Sequence, residues 1–179
     1  MNDAITEADK IDGWMTTKEL RWLNKTASQL SDVVWVEVGS WAGRSLACVG
    51  ASLQSGELIA VDRFSGCPGC SDYDTRIARR SLLEVIDGIN QRPEVTARLI
   101  EVSSVEAAKA FDDESVDVVF IDGDHDYASV RDDLNAWLTK VKSGGIICGH
   151  DGKYPTVISA VIEVIGQFEM CDTIWYATI

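Results

Sequence analysis

The run Val34-Trp35-Val36-Glu37-Val38-Gly39-Ser40-Trp41-Ala42-Gly43-Arg44-Ser45 decides the fold. It reads as a buried strand, an acidic residue, a glycine-punctuated turn and the start of a helix. An α/β protein uses that arrangement to offer backbone amides and one carboxylate to a nucleotide-like ligand at the C-terminal edge of a parallel sheet. The strand-then-acid pattern returns at Leu58-Ile59-Ala60-Val61-Asp62 and at Val116-Asp117-Val118-Val119-Phe120-Ile121-Asp122. Three acids at three strand ends describe a rim.

Outward from this run, strands and helices alternate. Strands are expected at 33–38, 57–61, 97–102, 116–121 and 146–148, with one or two more in 170–179. Mostly continuous apolar runs suit strands covered on both faces. Helices are expected at about 43–53, 75–90, 104–111 and 156–168. A further helix carries Val130, Leu134, Leu138 and Val141 on one face, and Ser143-Gly144-Gly145 turns the chain after it. Thr16-Thr17-Lys18-Glu19 has capping-box spacing and opens a helix with Leu20, Leu23, Ala27 and Leu30 on one face. Residues 1–13 read as a short, polar, flexible arm. The order gives an open, mostly parallel sheet with helices on both sides.

A chain of 179 residues fits one domain with a substantial core. Its 16 basic and 29 acidic residues give a net charge of −13, which argues against nucleic acid or an anionic membrane as partner. No apolar run approaches the roughly 20 residues of a membrane span. No signal peptide is visible at the N-terminus, and the five cysteines form no scaffold, so a reducing cytoplasm is expected. Cys48 and Cys148 read as small core residues. Cys67-Pro68-Gly69-Cys70 lacks two further zinc ligands and reads as a loop with incidental thiols.

Three constellations carry chemistry. Glu37, Gly39 and Gly43 form a turn that lets a ligand approach the backbone, but not the Gly-x-Gly-x-x-Gly fingerprint of pyrophosphate binding. A strand–helix turn without a ligand is an equal reading of that motif alone. Asp62 is suited to a ribose diol, and the pair favours an adenosine-type ligand. Asp122-Gly123-Asp124-His125-Asp126-Tyr127 and Gly149-His150-Asp151 follow strands expected to be neighbours. Their carboxylates and imidazoles suit a hard divalent cation, and His125 suits general-base work. Helix capping and loop solvation are the alternative. Trp22 and Trp137 read as core, Trp41 as part of the ligand turn, and Trp14 as an anchor of the arm, with closure over a ligand as the alternative.

These residues resemble the class I S-adenosylmethionine-dependent methyltransferases, in the small branch of cephalosporin-hydroxylase-like and sugar O-methyltransferases. The resemblance runs from Trp14 to the C-terminus, so 14–179 is expected to be a single methyltransferase domain. Its most specific part is 117–127 followed by 144–151, with Glu37–Ser45 and Val61-Asp62-Arg63-Phe64 matching the cofactor motifs. It implies a three-layer sandwich around a seven-stranded Rossmann-like sheet with an antiparallel last strand. It implies a cofactor site of Glu37, Gly39, Ser40, Trp41, Gly43 and Ser45 for the methionine part, Asp62 with Arg63 for the ribose, Ser104 for the adenine edge, and Asp122. Divalent-metal relatives such as the catechol enzyme place metal ligands where Asp122, His150 and Asp151 stand, and a basic catalytic residue where His125 stands. This chain departs from them in having His150 at an acid position, so His150 is also a candidate base.

The expected activity is methyl transfer to a hydroxyl of a small acceptor, a sugar or a phenol, with Mg2+ or Mn2+ assisting, or with His125 or His150 alone as base. A homodimer is compatible with this. A non-catalytic nucleotide-binding module and a nicotinamide-dependent oxidoreductase are the alternatives, and the missing fingerprint counts against the second.

Overall fold

The structure is a computed structural model that describes residues 3–66 and 71–179. The Cys67–Cys70 pair lies outside the described residues. The element order is α1 (Asp3–Ala8), α2 (Thr17–Ala27), β1 (Val33–Val38), α3 (Arg44–Ser52), β2 (Gly56–Val61), α4 (Asp72–Ile89) and β3 (Val95–Ile100). It continues with α5 (Ser104–Ala108), β4 (Val116–Ile121), α6 (Tyr127–Leu138), β5 (Val141–Gly149), α7 (Pro155–Val164), β6 (Glu169–Cys171) and β7 (Ile174–Thr178).

The strands form one seven-stranded sheet in the order β3-β2-β1-β4-β5-β7-β6. Pairing is parallel from β3 through β5, and β7 runs antiparallel to both β5 and β6. Alternate strand residues feed two apolar layers, as the two-residue period of a strand requires. Trp35, Leu58, Ala60, Val118, Phe120 and Cys148 pack beneath α2, α3 and α4. Val36, Val38, Ile59, Val61, Val119, Ile121 and Ile147 pack beneath α5, α6 and α7.

The register positions the site. Val38 is paired with both Val61 and Ile121, and Ile121 with Gly149. These strands end in one row, and backbone bonds continue one step past it. Gly39 N donates to Val61 O at 2.8 Å, Asp122 N to Val38 O at 2.8 Å, and His150 N to Ile121 O at 3.0 Å. Gly39, Asp62, Asp122 and His150 therefore leave the sheet at one level.

Three expectations change. Residues 1–13 read as a polar arm, but Asp3–Ala8 is helical, with Ile5 and Ala8 buried in the core beside α2 and α3. Arg44 fastens the segment after it, donating to Asp9 O and Ile11 O and pairing with the Asp9 carboxylate. The third strand is Val95–Ile100 rather than 97–102, because pairing of Gly56–Val61 with Val95–Ile100 sets its register. Val141 opens β5, paired with Val116, instead of closing a helix. Gly144 and Gly145 lie within that strand at a register shift, Gly144 with φ +81°.

Candidate active site

The rim residues open onto a cleft of about 570 Å³. Its floor is the turn after β1. Gly39 has φ +81°, and a Cβ there would fall 2.2 Å from the Asp122 carbonyl oxygen, so only glycine lets the two strand ends close together. Gly43, at φ +88°, caps α3 without a side-chain hydrogen bond, which leaves the helix N-terminal amides facing the turn. Trp41 holds φ +45°, and its indole N–H is buried without a partner among the described residues.

Asp62 organises this turn. One carboxylate oxygen accepts from Trp41 N at 2.9 Å and the other from Phe64 N at 2.7 Å. Burial pushes its carboxyl up, against the pull of those amides. Glu37 lies beneath, fully buried, with no hydrogen bond of normal geometry to either carboxylate oxygen. Burial pushes it up to about 8, with Asp122 and Asp62 adding to the shift and the nearby Ser45 and Ser40 hydroxyls opposing it. Ser40 spends its own hydroxyl on Glu37 O at 3.3 Å. Glu37 does not line the cleft, whereas Gly39, Ser40, Trp41, Ser45, Asp62, Arg63, Ser104 and Asp122 do. Arg63 reaches across the mouth to Asp124 at 3.6 Å. The Ser104 hydroxyl accepts from Trp137 Nε1 at 2.8 Å.

The second cluster joins the loops after β4 and β5. His150 Nδ1 lies 3.2 Å from Asp122 Oδ1 and 3.3 Å from Asp151 Oδ2. Its Nε2 lies 3.3 Å from Glu19 Oε1. Burial would lower the His150 pKa, but hydrogen bonds to Asp122, Asp151 and Glu19 outweigh it and push it up to about 12. Burial pushes Asp122 up against the pull of His150, whereas the two histidines and Lys153 overcome burial at Asp151 and hold it low. One donor atom from each of Asp122, His150 and Asp151 falls within 4.8 Å of the others. That donor set, with the second imidazole nitrogen turned to a carboxylate behind it, has the chemistry of a divalent-cation site.

His125 stands at the mouth, its side chain about half exposed. Its Nε2 lies 2.7 Å from Asp151 Oδ2, and Tyr154 stacks on its ring at 5.2 Å. Trp14, 70% exposed, faces Trp41 across 6.0 Å between ring centres and also lines the cleft.

Two residues of the site escape the sequence reading. Glu19 reads only as a helix cap. Asp133 reads as one polar residue of an amphipathic helix, yet it is 9% exposed and lines the cleft. Burial pushes Asp133 up to about 6, against a hydrogen bond with Ser104. It stands beside Leu134, off the predicted apolar face, and left no local signal.

A protein of Sinorhizobium fredii is 29% identical over 120 residues, which is 65% of this chain and 13% of that protein. Protein R132 of Acanthamoeba polyphaga mimivirus is 27% identical over 146 residues, 77% of this chain and 62% of that protein. Both are described as uncharacterized, and the chain spans less than two thirds of either. The Podospora anserina methyltransferase PaMTH1 superposes with a TM-score of 0.70 at 11% identity, covering 99% of this chain and 88% of that one. A Bacillus cereus O-methyltransferase gives 0.64 at 13%, covering 100% and 92%. CalS11, a TDP-rhamnose 3'-O-methyltransferase of calicheamicin biosynthesis, gives 0.64 at 15%, covering 99% and 80%. These three share the fold. The model of a family described as a methyltransferase domain matches residues 36–152, well over half of the chain and every strand end that opens on the cleft, and the chain belongs to that family.

Proposed function

We propose that this chain is an S-adenosylmethionine-dependent methyltransferase that methylates a hydroxyl of a small molecule, a sugar or a phenol. One observation carries the reading. Asp62 and the glycine turn open into the same cleft as Asp122, His150, Asp151 and His125, so a nucleoside site and a polar reaction site are contiguous. The likeness to CalS11 and to the Bacillus cereus enzyme, both O-methyltransferases, supports the oxygen-directed form.

The chemistry asks three things of the protein. It must hold the methyl donor, align the acceptor oxygen behind the methyl group, and accept the hydroxyl proton. S-adenosylmethionine supplies the electrophilic methyl group. Asp62 would accept from the ribose hydroxyls with lone pairs its two backbone bonds leave free. Ser104 and the neighbouring Asp133 would edge the adenine, and the amides at the start of α3 would meet the methionine carboxylate. Asp122, His150 Nδ1 and Asp151 would hold magnesium or manganese, which lowers the pKa of a bound hydroxyl. His125 would take the proton at Nδ1, since Asp151 occupies its Nε2. That same contact favours a second reading, in which the His125–Asp151 pair works as base with no cation.

Calorimetry with S-adenosylmethionine, S-adenosylhomocysteine and NAD, each with and without magnesium or manganese, tests the proposal. Binding of both adenosyl ligands and not NAD is expected. Preference for NAD would overturn the cofactor. Turnover of sugar and phenol acceptors in excess chelator, then with each metal returned, separates the two forms. Cofactor binding without turnover on any hydroxyl would leave a binding module.

A further inference from the structure

The chain has two capping boxes among its described residues, and they differ in one respect. On α4, Ser71 and Asp74 exchange the expected bonds at the surface, where Asp74 is exposed. On α2, Thr16 and Glu19 exchange the same bonds, Thr16 N donating to Glu19 Oε2 at 2.7 Å and the Thr16 hydroxyl at 2.9 Å. Yet Glu19 is 1% exposed. A helix cap alone gives no reason to bury a carboxylate, and doing so is costly unless it is paired. The cap uses only Oε2. Oε1 points the other way, accepting from the Thr173 hydroxyl and lying 3.3 Å from His150 Nε2.

We infer that Glu19 is a positioning residue for His150, holding its Nε2–H so that Nδ1 is committed to the point where Asp122 and Asp151 converge. The inference rests on reading that trio as a divalent-cation site. A carboxylate ligand has two equivalent oxygens and needs little orientation. Flanked by three carboxylates the metal-free ring keeps both protons, and a cation must replace one of them, so the hydrogen bond retained at one nitrogen decides which nitrogen faces the ion. A ring flip or the other tautomer turns the lone pair away from Asp122 and Asp151. Glu19 blocks both, and it is itself fixed from two sides, by Thr16 at the start of α2 and by Thr173 in the turn between β6 and β7. A histidine at this rim position thus creates a need that Glu19 meets.

The test uses Glu19→Gln in the full chain, with Thr16→Ala as control. In Glu19→Gln the side-chain oxygen must still face the Thr16 amide, so its NH2 faces His150 Nε2 and can no longer accept that proton. Nε2–H loses its acceptor while the shape is kept. Thr16→Ala weakens the cap and leaves the Glu19–His150 contact. Two readouts are taken, Mn2+ affinity by calorimetry and the His150 imidazole resonances by long-range 15N–1H correlation in the metal-free protein. Glu19→Gln is expected to lose the protected Nε2–H and about tenfold or more in Mn2+ affinity, and Thr16→Ala to keep both. If the wild-type chain binds no Mn2+ but its protected Nε2–H is lost in Glu19→Gln, the cation reading fails and the positioning stands. The inference is overturned if Glu19→Gln binds Mn2+ as Thr16→Ala does with an unchanged imidazole spectrum. It is also overturned if wild-type His150 has no protected Nε2–H, a measurement that does not depend on any variant folding.

Discussion

His125 Nε2 and Asp151 Oδ2 are 2.7 Å apart, although one residue follows β4 and the other β5. The contact orients an otherwise half-exposed imidazole towards the cleft. His125→Ala is expected to lower kcat by about 10²–10⁴ while S-adenosylhomocysteine affinity stays within twofold. Steady-state kinetics on an accepted sugar or phenol, with calorimetry alongside, checks this. An unchanged kcat removes His125 as base.

Asp62 offers a sharper test of the nucleoside site than of the fold. Asp62→Asn keeps an oxygen for one of the two amides it now accepts from, Trp41 N and Phe64 N. It loses charge-assisted acceptance from the ribose, worth about 1.5–3 kcal/mol per bond. S-adenosylhomocysteine should bind roughly tenfold or more weaker, and the thermal midpoint should fall by only a few degrees for the one lost backbone bond. Equal affinity in the folded variant would refute the ribose assignment.

Gly39 and Gly144 share φ +81° but not their surroundings. A Cβ at Gly144 meets nothing within 4 Å, while one at Gly39 falls 2.2 Å from the Asp122 carbonyl. Gly144→Ala should therefore cost only the left-handed conformation, about 1–2 kcal/mol. Gly39→Ala should cost at least twice that, because β1 and β4 must part. Urea unfolding of both variants compares them, and equal losses would sink the argument.

Asp133 carries a pH dependence of defined sign. Its folded pKa, pushed up by burial to about 6, lies above its ordinary 3.8. The folded chain therefore favours the protonated acid, and stability falls as pH rises from about 4 to 6. Above that range the loss is complete, about 3 kcal/mol at most. Asp133→Asn should be the more stable protein at pH 7.5, and the difference should close below pH 4. A gap that does not change with pH would contradict this.

The rim was legible because each of its parts is local. An apolar run followed at once by an acid names both the strand and the residue that leaves it at Val61-Asp62 and Ile121-Asp122, whereas Glu37 stays inside β1, buried, and Gly39 is the residue that leaves it. What the sequence could not supply were pairings between distant segments. Glu19 looks complete as a cap, and nothing near it announces His150 or Thr173. Ile5 and Ala8 are two apolar residues in a polar stretch, too few for a pattern until Arg44 pins the segment that follows. The third strand shifted because hydrogen bonding to Gly56–Val61, rather than its own apolar run, sets its start.

The shared row of Val61, Val38, Ile121 and Gly149 also sets how this chain could change over time. Inserting one residue within any of these strands would carry its exit residue about 3.3 Å along and turn it to the opposite face. Residues added beyond Asp62 or after Asp124 would leave the row untouched. Lineages descended from such a chain should therefore vary in length outside the row and hold length within it, so that the loops around the cleft can be rebuilt while the level of its rim does not drift.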